Sequence, residues 1–238
     1  DPNRQYPLVI LLHPTGQTPD ELLRYSRFDR LAEEHDFIVI APSRNLMLPI
    51  SWVLGPEDPE FIRGIVLSTQ DQLCVDKGRV FIASQGFGGY PSYVLACSDW
   101  VTGIATNAFR MDASMQLCSG PSRPYMLMSP DDGHDPWEGG QRCAGAPIKS
   151  VEDVEKLWAE KNGCSSQREQ TFRHKGSKCF TYDACETPFV SCHIKGGHNW
   201  PGSPKRGTDM VNCDGVSPDF PMAERMWSFF ESLEPLPP

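Results

Sequence analysis

The chain has 238 residues, enough for one sizeable α/β domain with a buried core, and 39% hydrophobic against 22% charged residues is ordinary for a globular protein. A formal charge of −9 argues against a phosphate backbone as partner, since nucleic-acid affinity is built from clustered Lys and Arg, and no apolar run approaches the length that spans a bilayer. Nine cysteines without a CxxC pair point to disulfides formed in an oxidising compartment rather than to a metal site, and their odd number leaves at least one thiol unpaired or paired outside this chain. The sequence opens at Asp1-Pro2 without a charged or apolar leader, so any signal peptide is expected to have been removed or to lie outside it.

Taken in order, Pro7–Leu12 is a continuous apolar run that predicts a strand buried on both faces. After His13-Pro14-Thr15-Gly16, Thr18 is placed to cap a helix, with Pro19 at its first position and Glu21 closing a capping box. Leu22, Leu23, Phe28, Leu31 and Ala32 form its buried stripe, and Phe37–Ala41 predicts the next buried strand. A helix follows over Pro59–Leu73, then a strand at Val80–Ala83, a weaker one at Ile104–Ala108 and another at Tyr125–Met128. Ser150 caps a helix that turns Val151, Val154, Leu157 and Trp158 inward and stops at Asn162-Gly163. Late strands at Phe180–Tyr182 and Phe189–Ile194 and a closing helix over Phe220–Leu233 complete the pattern. Strands alternating with helices predict a doubly wound, mostly parallel sheet with helices on both faces, in a single domain over residues 1–233 followed by a Pro-rich tail at 234–238.

The stretch Arg79–Cys97, RVFIASQGFGGYPSYVLAC, reads as an apolar strand, a tight glycine-containing turn and a helix of small residues. A GxSxG elbow holds a nucleophilic serine on such a turn. Here the five residues are Ser84-Gln85-Gly86-Phe87-Gly88, and the apex is Gly86.

With LLHPTGQTPDELL, FDRLAEEHDFIVIAPS, DPWEGG, LWAEKNGC, GGHNWPG and MWSFF around that stretch, the chain resembles the secreted esterase family of α/β hydrolases that includes polyhydroxybutyrate depolymerases and feruloyl or acetylxylan esterases. The likeness covers nearly the whole chain, starting at PLVILL without the strands that usually open the family's sheet, and it implies the α/β-hydrolase fold. It implies His198 as general base, Asp132 as the orienting acid and position 86 as that of the nucleophile, in the order nucleophile, acid, base. It also implies a Cys164–Cys185 disulfide. The ligand it implies is a small-molecule or polymer-borne ester or aromatic, with no cofactor, metal, nucleic acid or membrane, on a domain that fits inside a larger secreted protein.

Acyl transfer needs a nucleophile, a base, an orienting acid and two donors for the oxyanion. The backbone N–H groups of Thr15 and Phe87 are the candidate donors, since Pro14 has none. Trp52, Trp137 and Trp200 are candidates for lining an aromatic-accepting pocket, and the large Phe87 ring for filling the space a serine left. Gly88 and Gly89 are expected to allow close helix–strand packing. Asp131, Asp132, His134 and Asp135 read as a solvated acidic turn, His13 as a satisfied structural histidine, and His35, His174 and His193 carry no assigned role.

Gly86 has no side chain, so a covalent intermediate through it is impossible. Four readings stay open on the sequence: a binding domain of esterase lineage; an enzyme in which His198 and Asp132 activate water or abstract a proton; a serine esterase that uses Ser84 or whose serine at 86 was changed by engineering; and a purely structural domain.

Overall fold

The computed structural model describes residues 4–43, 52, 55–113, 115–131, 135–141, 146–200 and 220–237. Its centre is an eight-stranded sheet, built from β1 (Tyr6–Leu12), β2 (Ile38–Ile40), β3 (Val75–Gln85), β4 (Gly103–Asn107), β5 (Tyr125–Asp131), β6 (Arg168–His174), β7 (Ser177–Tyr182) and β8 (Phe189–Lys195). The order across the sheet is β2-β1-β3-β4-β5-β8-β7-β6, parallel from β2 to β8 and antiparallel in the final β8-β7-β6 hairpins. The helices are α1 (Pro19–Ser26), α2 (Phe28–His35), α3 (Glu57–Gln72), α4 (Gly89–Leu95), α5 (Val151–Lys161) and α6 (Met222–Glu231).

Alternation along the central strands gives each face its own core. Val9, Leu11, Phe81, Ala83 and Met126 meet α1, α2 and α6, with Phe81 stacked on Phe230 at 4.7 Å and Phe37 on Trp227 at 4.1 Å. Leu8, Ile10, Ile82, Ile104 and Leu127 meet α3, α4 and α5, where Tyr125 stacks on Trp158 at 3.9 Å. Both faces of β1, β3, β4 and β5 are thus covered, as continuous apolar runs require. The expected capping box is present, Thr18 Oγ1 accepting from the Glu21 N–H and the Glu21 carboxylate accepting from the Thr18 N–H. Ser150 caps α5 through the Asp153 N–H.

The expected single helix after residue 18 is two helices. Arg27, at φ 62, breaks the chain between them and re-aims it so that Phe28 and Leu31, as well as Leu22, reach the core. The Phe37–Ala41 strand is shorter and less buried than expected, because β2 pairs with β1 alone and forms the sheet's edge. Strand β6 has no expectation behind it: REQTFRH is almost wholly exposed, and pairing with β7 makes it a strand. The Pro-rich end is docked on β3, the Leu236 N–H donating to Gly78 O at 2.9 Å.

Three disulfides fasten the described residues, Cys97–Cys118, Cys164–Cys185 and the cross-strand Cys179–Cys192. The Cys164–Cys185 pair is the one the resemblance implied. Among the described residues no helix is long and apolar enough to cross a membrane, and no group of His, Cys, Asp and Glu is arranged to hold a metal ion.

Candidate active site

In an open parallel sheet, ligands bind beyond the carboxyl ends of the strands, where the connecting loops collect. Loops that follow β1, β3, β5 and β8 reach that edge in this chain. Strand β3 runs through Ser84 and Gln85 into a short 3-10 turn, Gly86–Gly88, and then α4. Gly86 sits at the apex with φ +50, a backbone conformation that L side chains rarely adopt and that a strained elbow demands. Ser84 is not at the turn. It lies within the sheet, registered between Leu12 of β1 and Thr106 of β4, with no exposure to solvent.

The second loop leaves β8. A Cβ built on Gly86 would lie 3.9 Å from His198 Nε2, so the imidazole faces position 86 across the gap between the two loops. Two anchors hold that loop. Trp200 is buried against Phe28, and Gln85 donates from Nε2 to the His198 carbonyl at 2.7 Å while its own Oε1 accepts from the Asn107 amide. The polar end of β3 thereby fixes the height of the histidine loop above the sheet. Replacing buried Gln85 with Leu would leave the His198 carbonyl and the Asn107 amide without these partners, at a cost of about 1–3 kcal/mol. We expect a lower melting temperature for Gln85→Leu, together with a shifted His198 imidazole resonance in NMR; an unchanged resonance would show that Gln85 does not set the loop.

The third loop follows β5, which ends beside β8 in the register Asp131↔Lys195. Asp132 and His134 lie outside the described residues. Just beyond them, Asp135 is buried rather than part of a solvated turn. Buried Arg110, three residues beyond the end of β4, donates to the carbonyls of Asp135 and Trp137 and ties this loop down. The sequence offered one sign of Arg110: a cation set inside the apolar run Ala108-Phe109-Arg110-Met111.

The remaining candidates are distributed as follows. Thr15 lies in the turn after β1, at the same carboxyl edge as Gly86. Phe87 packs edge-on to Phe109 at 6.1 Å, on the side of α4, rather than filling the elbow. Trp52 and Trp200 are 3% and 2% exposed and serve as scaffold rather than as lining. Trp52 donates to the His13 carbonyl at 2.8 Å and stacks on the His13 ring at 5.1 Å. Trp137 is half-buried and meets His193 edge-on at 4.7 Å. His13 is satisfied on one side only: Nδ1 donates to Pro14 O at 2.9 Å, and buried Nε2 has no partner among the described residues. Burial lowers its pKa against the opposing pull of that carbonyl, so the ring is neutral at physiological pH. Gly88 and Gly89 do permit close packing, against the backbone of β1 and the ring of Phe109.

No family model matches the chain. Feruloyl esterase B of Piromyces equi is 27% identical over 227 residues, which is 86% of this chain and 41% of that protein. Feruloyl esterase D of Neurospora crassa is 26% identical over 134 residues, 51% of this chain and 45% of that protein. The chain therefore spans less than half the length of these curated relatives. Among solved structures, the acetyl xylan esterase from Aspergillus awamori superposes with a TM-score of 0.66 at 14% identity, over 95% of this chain and 89% of that one. The fold is that of the α/β hydrolases, and these relatives are esterases.

Proposed function

We propose that the chain is an esterase-derived domain that binds an ester or aromatic acid at the carboxyl edge of its sheet and has lost serine-dependent turnover. One observation carries this reading: the elbow apex that faces His198 Nε2 is a glycine. Without a side-chain oxygen or sulfur at that point, no acyl-enzyme can form through it. In this reading His198 and Asp132 are the inherited base and acid, and the N–H groups of Thr15 and Phe87 the inherited oxyanion donors. The names of the relatives suggest feruloyl or acetyl esters as the ligand class, borne on a small molecule or a polymer. The three disulfides suit a secreted domain. The polyhydroxybutyrate depolymerases remain a second source of the same lineage.

The test pairs turnover with binding. We expect p-nitrophenyl acetate and methyl ferulate to hydrolyse at the buffer rate in the presence of the protein. Methyl ferulate should bind saturably in titration calorimetry, and His198→Ala should weaken that binding. Turnover with a covalent adduct on Ser84 would sink the assignment of position 86. Turnover without an adduct, abolished by His198→Ala, would replace the binding reading with water activation by the imidazole, for which general-base catalysis supplies about 10²- to 10⁴-fold.

A further inference from the structure

The space beside Gly86 is occupied from the neighbouring loop. An ideal Cβ at residue 86 would come within 2.9 Å of Pro14 Cβ and 3.7 Å of Pro14 Cα. Ordinary van der Waals contact begins near 3.4 Å, so the first of these is an overlap. It cannot be relieved by a rotamer change, because a Cβ is placed by its own backbone, and at Pro14 the ring also fixes φ. The ring is further held by its surroundings. The Pro14 carbonyl accepts from His13 Nδ1 at 2.9 Å, and His13 is itself buried, stacked on Trp52 and bonded to it through its own carbonyl. The segment that carries Pro14 therefore has little freedom to retreat.

We propose that Pro14 is a steric lock on position 86. The loss of the nucleophile is then written into two residues, and a serine restored at 86 is displaced from the apex until residue 14 gives up its Cβ. This rests on the reading that position 86 is the nucleophile's place, and it deepens that reading: a single serine-to-glycine exchange in an active enzyme would have left room for the serine, whereas this loop has closed on it. A displacement of several tenths of an ångström is enough to cost on the order of tenfold in rate where the reacting atoms must align.

The experiment has a chemical and a thermal arm. In the first, Gly86→Ser, Gly86→Ser/Pro14→Ala and Gly86→Ser/Pro14→Gly are treated with a fluorophosphonate probe. The introduced hydroxyl oxygen would form an O–P bond as fluoride leaves and its proton passes to His198. We expect labelling of Gly86→Ser/Pro14→Gly to be at least about tenfold faster than that of Gly86→Ser. Pro14→Ala should give no such gain, because it restores the N–H but keeps the Cβ. Labelling of Gly86→Ser at the same measurable rate as the glycine double variant, or equal rescue by Pro14→Ala, would overturn the lock. In the second arm, melting temperatures of Gly86→Ala, Pro14→Gly and their combination form a double-mutant cycle, in which the strain of a positive φ at 86 cancels and the contact alone is left. The melting loss caused by Gly86→Ala should shrink when residue 14 is glycine; an additive cycle would overturn the proposal. Non-additive melting with no labelling in any variant would uphold the lock and refute instead the reading that position 86 faces a working base.

Discussion

Gly88→Ala is expected to lower stability by about 3 kcal/mol, at the upper end of the usual cost of overpacking. A Cβ at this position would lie 2.5 Å from Leu12 O, 2.8 Å from Leu12 C and 2.9 Å from His13 O. All three are backbone atoms of β1 and the residue after it, so no side chain can rotate out of the way. Gly88 itself has φ −60 and ψ −18, a helical conformation that alanine adopts freely, so the effect is steric rather than conformational. For a domain of this size the melting temperature should fall by roughly 6–12 °C. Because the displaced atoms begin the His13–Gly16 loop, methyl ferulate binding should weaken as well. Gly64 provides the opposite sign within the same fold. It is exposed in the interior of α3 with nothing near its missing Cβ, so Gly64→Ala should stabilise by about 0.5–1 kcal/mol. Calorimetric melts of the two variants side by side check both; a Gly88→Ala protein that melts with the parent would mean α4 does not approach β1 as closely as described.

The second large effect is expected at Glu155, on α5. Its side chain is 4% exposed on the inner face of α5 and accepts from Arg168 Nη1 at 2.7 Å, His193 Nε2 at 2.6 Å and the Ser191 hydroxyl. One carboxylate thus joins α5 to β6 and β8. Burial pushes its pKa up, but the hydrogen bonds from His193 and Ser191 and the charges of His193 and Arg168 outweigh burial and hold it below its ordinary value of 4.5. The same cluster pushes the Tyr182 phenol up to about 12, through burial and the nearby Glu155 charge. Glu155→Gln should cost about 3 kcal/mol, the low end for a broken buried pair, because Arg168 and His193 keep 32% and 25% of their side chains in water. The melting temperature should drop by roughly 6–12 °C at neutral pH. A depressed carboxyl pKa contributes stability that is complete above pH 4.5 and is lost as the pH falls through the lower folded value. The difference between parent and Glu155→Gln should therefore narrow below pH 4.5. Melts across pH 3–7 that run parallel would refute the assignment of this limb to Glu155.

Much of the chain was legible beforehand, for local reasons. Continuous apolar runs such as Pro7–Leu12 and Tyr125–Met128 leave a strand covered on both faces as the fold's only outlet, and the central sheet follows. Thr18-Pro19-Asp20-Glu21 and Ser150 satisfy their own backbone donors within a single turn, and both helices start where they say. The spacing of Gly86 within RVFIASQGFGG placed it at the turn between β3 and α4, where it stands.

What stayed hidden depends on residues far apart in the chain. Arg27 turns left-handed because Leu22 and Phe28 must both face the sheet, a demand that exists only once the sheet is there. Gln85, Arg110 and Glu155 are ordinary polar residues in sequence and become anchors only when His198, Trp137 and His193 are brought to them across 113, 27 and 38 positions. Trp52 and Trp200 were expected to face a ligand, and burial against His13 and Phe28 turned them into supports. The layered α/β sheet and the glycine at its elbow could be read from the residues in order, because apolar period, capping and turn chemistry act over a few positions. What that glycine faces, His198 on one side and the Pro14 ring on the other, emerged only from the packed loops, because contacts between residues 72 and 112 positions apart in the chain have no local signature.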